Sequence, residues 1–135
     1  MPQEQSLGIV IHSNKQFLLL LSKSGHWTFL KGNYNTIEDK EIVARKIALE
    51  KIRITTLFFS KDFKSASDYF YMQNGKIIHK DVEFMLAETN EKLTFLSTED
   101  YVEAKWINFE EALSTLKFTS LKNTLIEANN FLKYH

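Results

Sequence analysis

The chain has 135 residues, enough for one domain with a real core and too few for two. Its 44% hydrophobic and 13% aromatic content excludes a disordered segment. Seventeen basic residues balance seventeen acidic ones, so no overall field draws nucleic acid or a membrane surface. With no Cys, a disulfide framework, a thiolate zinc site and a Cys nucleophile are excluded as well.

The first residues, MPQEQS, are polar and acidic, unlike the basic start of a signal peptide. Leu7–His12 (LGIVIH) and Gln16–Ser22 (QFLLLLS) are β-rich runs, and Ser13-Asn14-Lys15 between them reads as a hairpin turn. The run Phe17–Leu21 is strand-sized and far too short to span a bilayer. Gly25 to Asn35 reads as a loop. Asn35-x-x-Glu38 then predicts a helix start, with Glu38, Asp39 and Glu41 in the first turns and Lys51 and Arg53 at the end. That charge order suits the helix dipole.

Ile54–Phe59, Tyr69–Gln73 and Lys76–Glu88 are expected strands, the last two joined by an Asn74-Gly75 turn. Ala104–Ile107 is a further short strand. Asn108-x-x-Glu111 caps a helix running through Leu116, and Ser120–Leu132 has apolar residues at 121, 125, 128 and 132, a helical spacing. The order predicts an α+β fold with a mixed sheet between helices, one domain over 1–135, in a cytoplasmic protein.

The chemistry-bearing residues lie in Gly25–Ile54. Gly25-His26-Trp27, followed by Lys31-Gly32, resembles the opening of the Nudix motif, and specifically that of the diadenosine tetraphosphate hydrolase branch. The family's box needs Gly, five residues, Glu, seven residues, then Arg-Glu-apolar-x-Glu-Glu-x-Gly-apolar. Gly32, Glu38, Ala48, Glu50 and Ile54 fit it. Lys46 stands for the Arg, but Ile47 replaces the first Glu, Lys51 the last and Arg53 the Gly.

The likeness runs on downstream. Lys80–Ala87 is similar to the family strand whose aromatic residue stacks on adenine, which makes Phe84 that platform by resemblance. Ser97-Thr98-Glu99-Asp100 is similar to the loop that supplies a further acidic ligand, with Glu99 the first choice and Asp100 the alternative. Lys105-Trp106, Glu110-Glu111-Ala112, Phe118 and the terminal Glu127–Leu132 also match. The implied fold is an α/β/α sandwich.

The implied chemistry is altered. Mg²⁺ is a hard cation held by carboxylates and substrate phosphates, and positions i, i+3 and i+4 share a helix face. Those positions are Ile47, Glu50 and Lys51. An ammonium ~4 Å from a dication repels it by about 8 kcal/mol at an effective dielectric of ~20. Glu50 is thus the residual catalytic candidate, and Glu50 and Glu99 are the residual metal ligands for Mg²⁺ or Mn²⁺, with no cofactor as the alternative. His26, Lys31, Lys51 and Phe84 are the substrate-binding candidates, since cations meet phosphate and a flat ring meets a base.

Each has a plainer role: Ile47 as packing beside Val43, Lys51 as a solvated lysine, Trp27 and Phe84 as core aromatics. Tyr69-Phe70-Tyr71 lacks a surrounding basic array and is assigned to sheet packing. The expected function is binding of a nucleotide or nucleoside polyphosphate with hydrolysis weak or absent. The alternatives are an active pyrophosphohydrolase cutting dinucleoside polyphosphates, and a non-catalytic protein-interaction domain. Nucleic acid and membrane are not expected partners.

Overall fold

The computed structural model describes residues 3–35 and 37–134, without the side chains of residues 3, 4, 69–71, 73 and 80. Among the described residues, eight strands form one mixed sheet with three helices packed on it.

In chain order the strands are β1 (Gln3–Ser13), β2 (Gln16–Ser22), β3 (Trp27–Thr28) and β4 (Leu30–Asn33), then helix α1 (Lys40–Ile52). Next come β5 (Phe58–Phe59), β6 (Ser65–Gln73), β7 (Lys76–Glu88) and β8 (Tyr101–Ile107), followed by α2 (Phe109–Thr115) and α3 (Thr119–Tyr134). β1 and β7 run parallel from Gln3 opposite His79 to His12 opposite Glu88, and the other pairings are antiparallel.

The unbroken apolar run in β2 follows from this layering. A strand covered on both faces has no solvent side on which to place polar residues. Leu18 and Leu20 enter the cluster under α1, with Leu7, Ile9 and Ile11 of β1 and Val43, Ala44, Ile47, Ala48 and Ile52 of the helix. Phe17 and Leu19 enter the opposite cluster, with Phe29, Val82, Phe84 and Leu86, covered by Leu116, Leu121 and Leu125. This is the expected α/β/α sandwich.

Both hairpin turns are two-residue connections with positive φ at each central position. Asn14 and Lys15 have φ of 50° and 64°, and Asn74 and Gly75 have 53° and 76°. Left-handed residues there match the right-handed twist of the flanking strands.

Several boundaries differ from the sequence-based expectation. α1 is capped by Asp39, whose Oδ1 accepts the Ile42 N–H at 3.1 Å, while Asn35 closes a turn ahead of the helix. The loop 25–35 contains β3 and β4. β1, β6 and β8 begin earlier than expected, at Gln3, Ser65 and Tyr101.

The strand expected over Ile54–Phe59 shrinks to Phe58–Phe59 because Thr55 and Thr56 bond sideways. Their N–H groups donate to the Glu91 carboxylate, and the Thr56 carbonyl accepts from the Thr89 hydroxyl at 2.8 Å. The packing expected of Tyr69-Phe70-Tyr71 lies outside the described side chains, although their backbone is in β6. No described helix is long and apolar enough to cross a membrane.

Candidate functional site

A cavity of about 570 Å³ opens where β4, the end of α1, the start of β8 and the start of α3 meet. His26, Lys31, Lys51 and Phe84 all line it, together with Thr28, Asp100, Tyr101 and Phe118. The fold brings these side chains together from positions up to 92 residues apart, between His26 and Phe118.

Lys31 reaches the wall because alternation along β4 sends Leu30 into the core under α1 and Lys31 the other way. Its backbone is fixed by Tyr101. The phenol accepts the Lys31 N–H at 3.3 Å, and its O–H points at the Lys31 carbonyl at 3.4 Å. Burial pushes the Tyr101 phenol up to about 12, so it stays a neutral donor. Burial, and secondarily the ammonium of Lys51, hold the Lys31 amine below the usual lysine range.

Lys51 projects from the last turn of α1. Its Nζ lies 3.2 Å from Asp100 Oδ2 and 5.8 Å from the centroid of the Tyr101 ring. Asp100 also accepts the Ser97 hydroxyl at 3.1 Å, and the Ser97 N–H donates to the Lys51 carbonyl at 2.8 Å. The loop 97–100 is thus docked on the helix end by backbone and side chain. Of its two acids, Asp100 reaches the cavity, whereas Glu99 is exposed outside it. Glu50 is likewise exposed and is not part of the wall.

On the opposite wall the His26 ring meets the Phe118 ring edge-on, with centroids 4.9 Å apart. Phe84 is only 3% exposed, crossing Phe29 at 5.7 Å and covering Gly8. A Cβ on Gly8 would stand 2.4 Å from Phe84 Cε1, so this glycine makes room for the ring. Trp27 carries the Lys105 ammonium 4.7 Å from its ring centre. Thr28 adds a buried hydroxyl with no hydrogen-bond partner, an uncommon state for an interior polar atom.

The position where a carboxylate would be expected by resemblance is filled by hydrocarbon. Ile47 is 5% exposed and lies across Gly32, where an added Cβ would stand 2.9 Å from Ile47 Cγ1. With Ile47 in the core, Lys51 on Asp100 and Glu50 outside the wall, these residues do not compose the oxygen-rich donor set of Mg²⁺. Among the described residues, the single grouping of three His or carboxylate side chains able to share a cation lies elsewhere, at Asp68, His79 and Asp81.

Thr28 and Tyr101 were not singled out by sequence, and Phe118 only as part of the downstream likeness, without a role in a site. Tyr101 and Phe118 stand far along the chain from Lys31 and His26, and only the sheet pairing and the α3 crossing bring them near. Thr28 carries no spacing signal.

No protein-family profile matches the chain, and no curated protein sequence does. Solved structures do match. A binary complex of the Ap4A hydrolase of C. elegans is 25% identical, with 98% of this chain and 99% of that one covered, at a TM-score of 0.79. A second structure of that hydrolase is 26% identical over the same shares, with a TM-score of 0.73. The Nudix domain of Shewanella oneidensis NrtR, complexed with ADP-ribose, shares the fold at 14% identity, with 98% and 90% covered and a TM-score of 0.67. The parallel β1–β7 core, the two helical layers and a full-length likeness to Ap4A hydrolase together assign this chain to the Nudix superfamily.

Proposed function

We propose that the cavity binds a nucleotide or nucleoside polyphosphate and that hydrolysis is weak or absent. The observation that carries this reading is the convergence of two lysines in one recess. Lys31 is held below its ordinary range by burial and by the Lys51 charge, so a polyphosphate between them relieves the repulsion. His26, the Phe118 ring and the Thr28 hydroxyl supply a donor, an apolar wall and an unused hydrogen-bonding group. Phe84 offers a base little more than the rim of its ring, so the exposed Phe118 is the better apolar contact.

Lys51 in this reading does part of what a divalent ion does in a metal-dependent relative: it offsets phosphate charge as a point cation. It supplies no activated water, and Ile47 offers no base. Loss of a positioned base alone removes about 10²–10⁴ in rate.

Calorimetry of the full chain with diadenosine tetraphosphate, ATP and ADP-ribose in EDTA tests the binding. At least one should bind, and Lys31→Gln or Lys51→Gln should each weaken it about tenfold or more, the worth of one charge-assisted hydrogen bond. Absence of binding to all three ends the proposal and favours a protein-interaction role. Incubation with Mg²⁺ or Mn²⁺ tests the chemistry. Metal-dependent release of ATP and AMP from diadenosine tetraphosphate that disappears in Glu50→Gln would favour the active hydrolase instead.

A further inference from the structure

The β6–β7 hairpin carries a second constellation, away from the lysine cavity. The register places Asp68 directly opposite Asp81, and His79 lies two residues before Asp81 on the same face of β7. Like charges directly opposed across a ladder destabilise the pair. Here the imidazole stands between them, with His79 Nε2 3.1 Å from Asp68 Oδ2 and 3.1 Å from Asp81 Oδ1. All three candidate donor atoms lie within 4.8 Å of one another.

We propose that Asp68, His79 and Asp81 form a binding site for a zinc-like divalent cation. Donors at ~2.0–2.1 Å from a tetrahedral Zn²⁺ stand ~3.3–3.4 Å apart, close to the two edges around His79. Rotation of the Asp68 and Asp81 side chains about their χ angles brings the third edge to the same spacing. Its ring ligand is the Nε2 lone pair, with the imidazole proton carried on Nδ1.

Charge and donor type agree with this. Two carboxylates and a neutral imidazole bring a net charge of −2, which the dication cancels. A nitrogen donor favours zinc-like ions over Mg²⁺ or Ca²⁺, which take oxygen. The nearby Glu83 is engaged by Lys40 at 2.5 Å and is left out of the donor set.

Asp68, Asp81 and Glu83 also line a cavity of about 280 Å³. Three protein donors leave one tetrahedral position open, and water in that position has room in the cavity. Ser6 and Val82 belong to the walls of both this cavity and the lysine cavity, so the two recesses adjoin through β1 and β7.

The test uses the metal-stripped full chain and ZnCl₂ alone. Calorimetry should give one Zn²⁺ per chain, and Co²⁺ should develop the visible absorption of a low-symmetry, nitrogen-containing site. Asp68→Asn, Asp81→Asn and His79→Gln should each weaken Zn²⁺ binding by about tenfold or more, as loss of one ligand of three implies. Glu110→Gln, an exposed carboxylate on α2, should leave it unchanged. Should a hairpin variant fail to fold by circular dichroism, the wild-type chain still decides: Zn²⁺ must shift the His79 ring resonances. No Zn²⁺ binding by the wild type, an unmoved His79 ring, or loss of binding in Glu110→Gln overturns the proposal.

Discussion

Ile47→Glu puts a carboxylate where the Nudix resemblance expects one, and the structure sets its cost. The Ile47 side chain is 5% exposed, packed in the cluster beneath α1 and pressed against Gly32. Removing that buried hydrocarbon forfeits about 1.5–3 kcal/mol. Burying a neutral carboxyl without a partner adds about 1–3 kcal/mol. The expected loss is about 3–5 kcal/mol, a large share of the ~5–15 kcal/mol that stabilises an ordinary domain.

Urea denaturation followed by circular dichroism measures this, with Ile47→Gln as the uncharged control. Burial raises the pKa of the introduced carboxyl in the folded state, so the folded chain binds more protons than the unfolded one there. Stability of Ile47→Glu relative to Ile47→Gln should therefore rise as the pH falls from about 7 to about 5. A loss below about 1 kcal/mol at neutral pH would refute the reasoning, because it would mean the position opens to water at little cost.

Gly32→Ala should destabilise by about 1–3 kcal/mol through overpacking against Ile47. In a double-mutant cycle Ile47→Ala should recover at least ~0.5 kcal/mol of that, and strict additivity would break the proposed contact. Arg53 caps α1 with φ of 57° and lays its guanidinium 4.8 Å from the centre of the Phe95 ring. Arg53→Gly and Arg53→Ala both lose that contact, but only Ala keeps the left-handed strain. The Gly variant should be the more stable by ~1 kcal/mol in thermal melts.

Hydrogen bonds from Thr56, and then Thr55, hold the Glu91 carboxyl below its ordinary 4.5. A depressed folded pKa gives stability that is complete above the unfolded value and lost as pH falls towards the folded one. The melting temperature of the wild type should drop more steeply than that of Glu91→Gln between about pH 5 and about pH 3. Parallel curves would mean that the carboxylate does not hold this connection.

The fold was largely legible in the sequence because its layers write themselves into the pattern. A covered central strand shows as FLLLL, and a turn that needs two left-handed residues shows as Asn74-Gly75. Asn108 could be read as a cap because the cap and the first turn are adjacent in sequence. Asp39 was harder, since Asn35 offers a rival cap four residues earlier and only tertiary packing decides between them. The strand expected from Ile54 was lost to Glu91, a partner 36 residues away that no local pattern announces.

The site divides similarly. Lys31, Lys51, His26 and Phe84 could be named because motif spacing fixes them. Asp100 was separable from Glu99 only by the docking of its loop, and Tyr101 only by its reach across to β4. The burial of Ile47 against Gly32 could not be read from spacing, because it depends on how closely α1 approaches the sheet.

The Ser97–Lys51 backbone bond and the Lys51–Asp100 ion pair tie the same two segments at two points with different tolerances. A guest that takes the ammonium away breaks the outer tie and leaves the inner one intact. The rim of the recess can therefore exchange an internal counterion for an external one without loosening. In the proposed function, admission of a polyanion is then a swap of partners on a stiff frame, with little rearrangement of the chain.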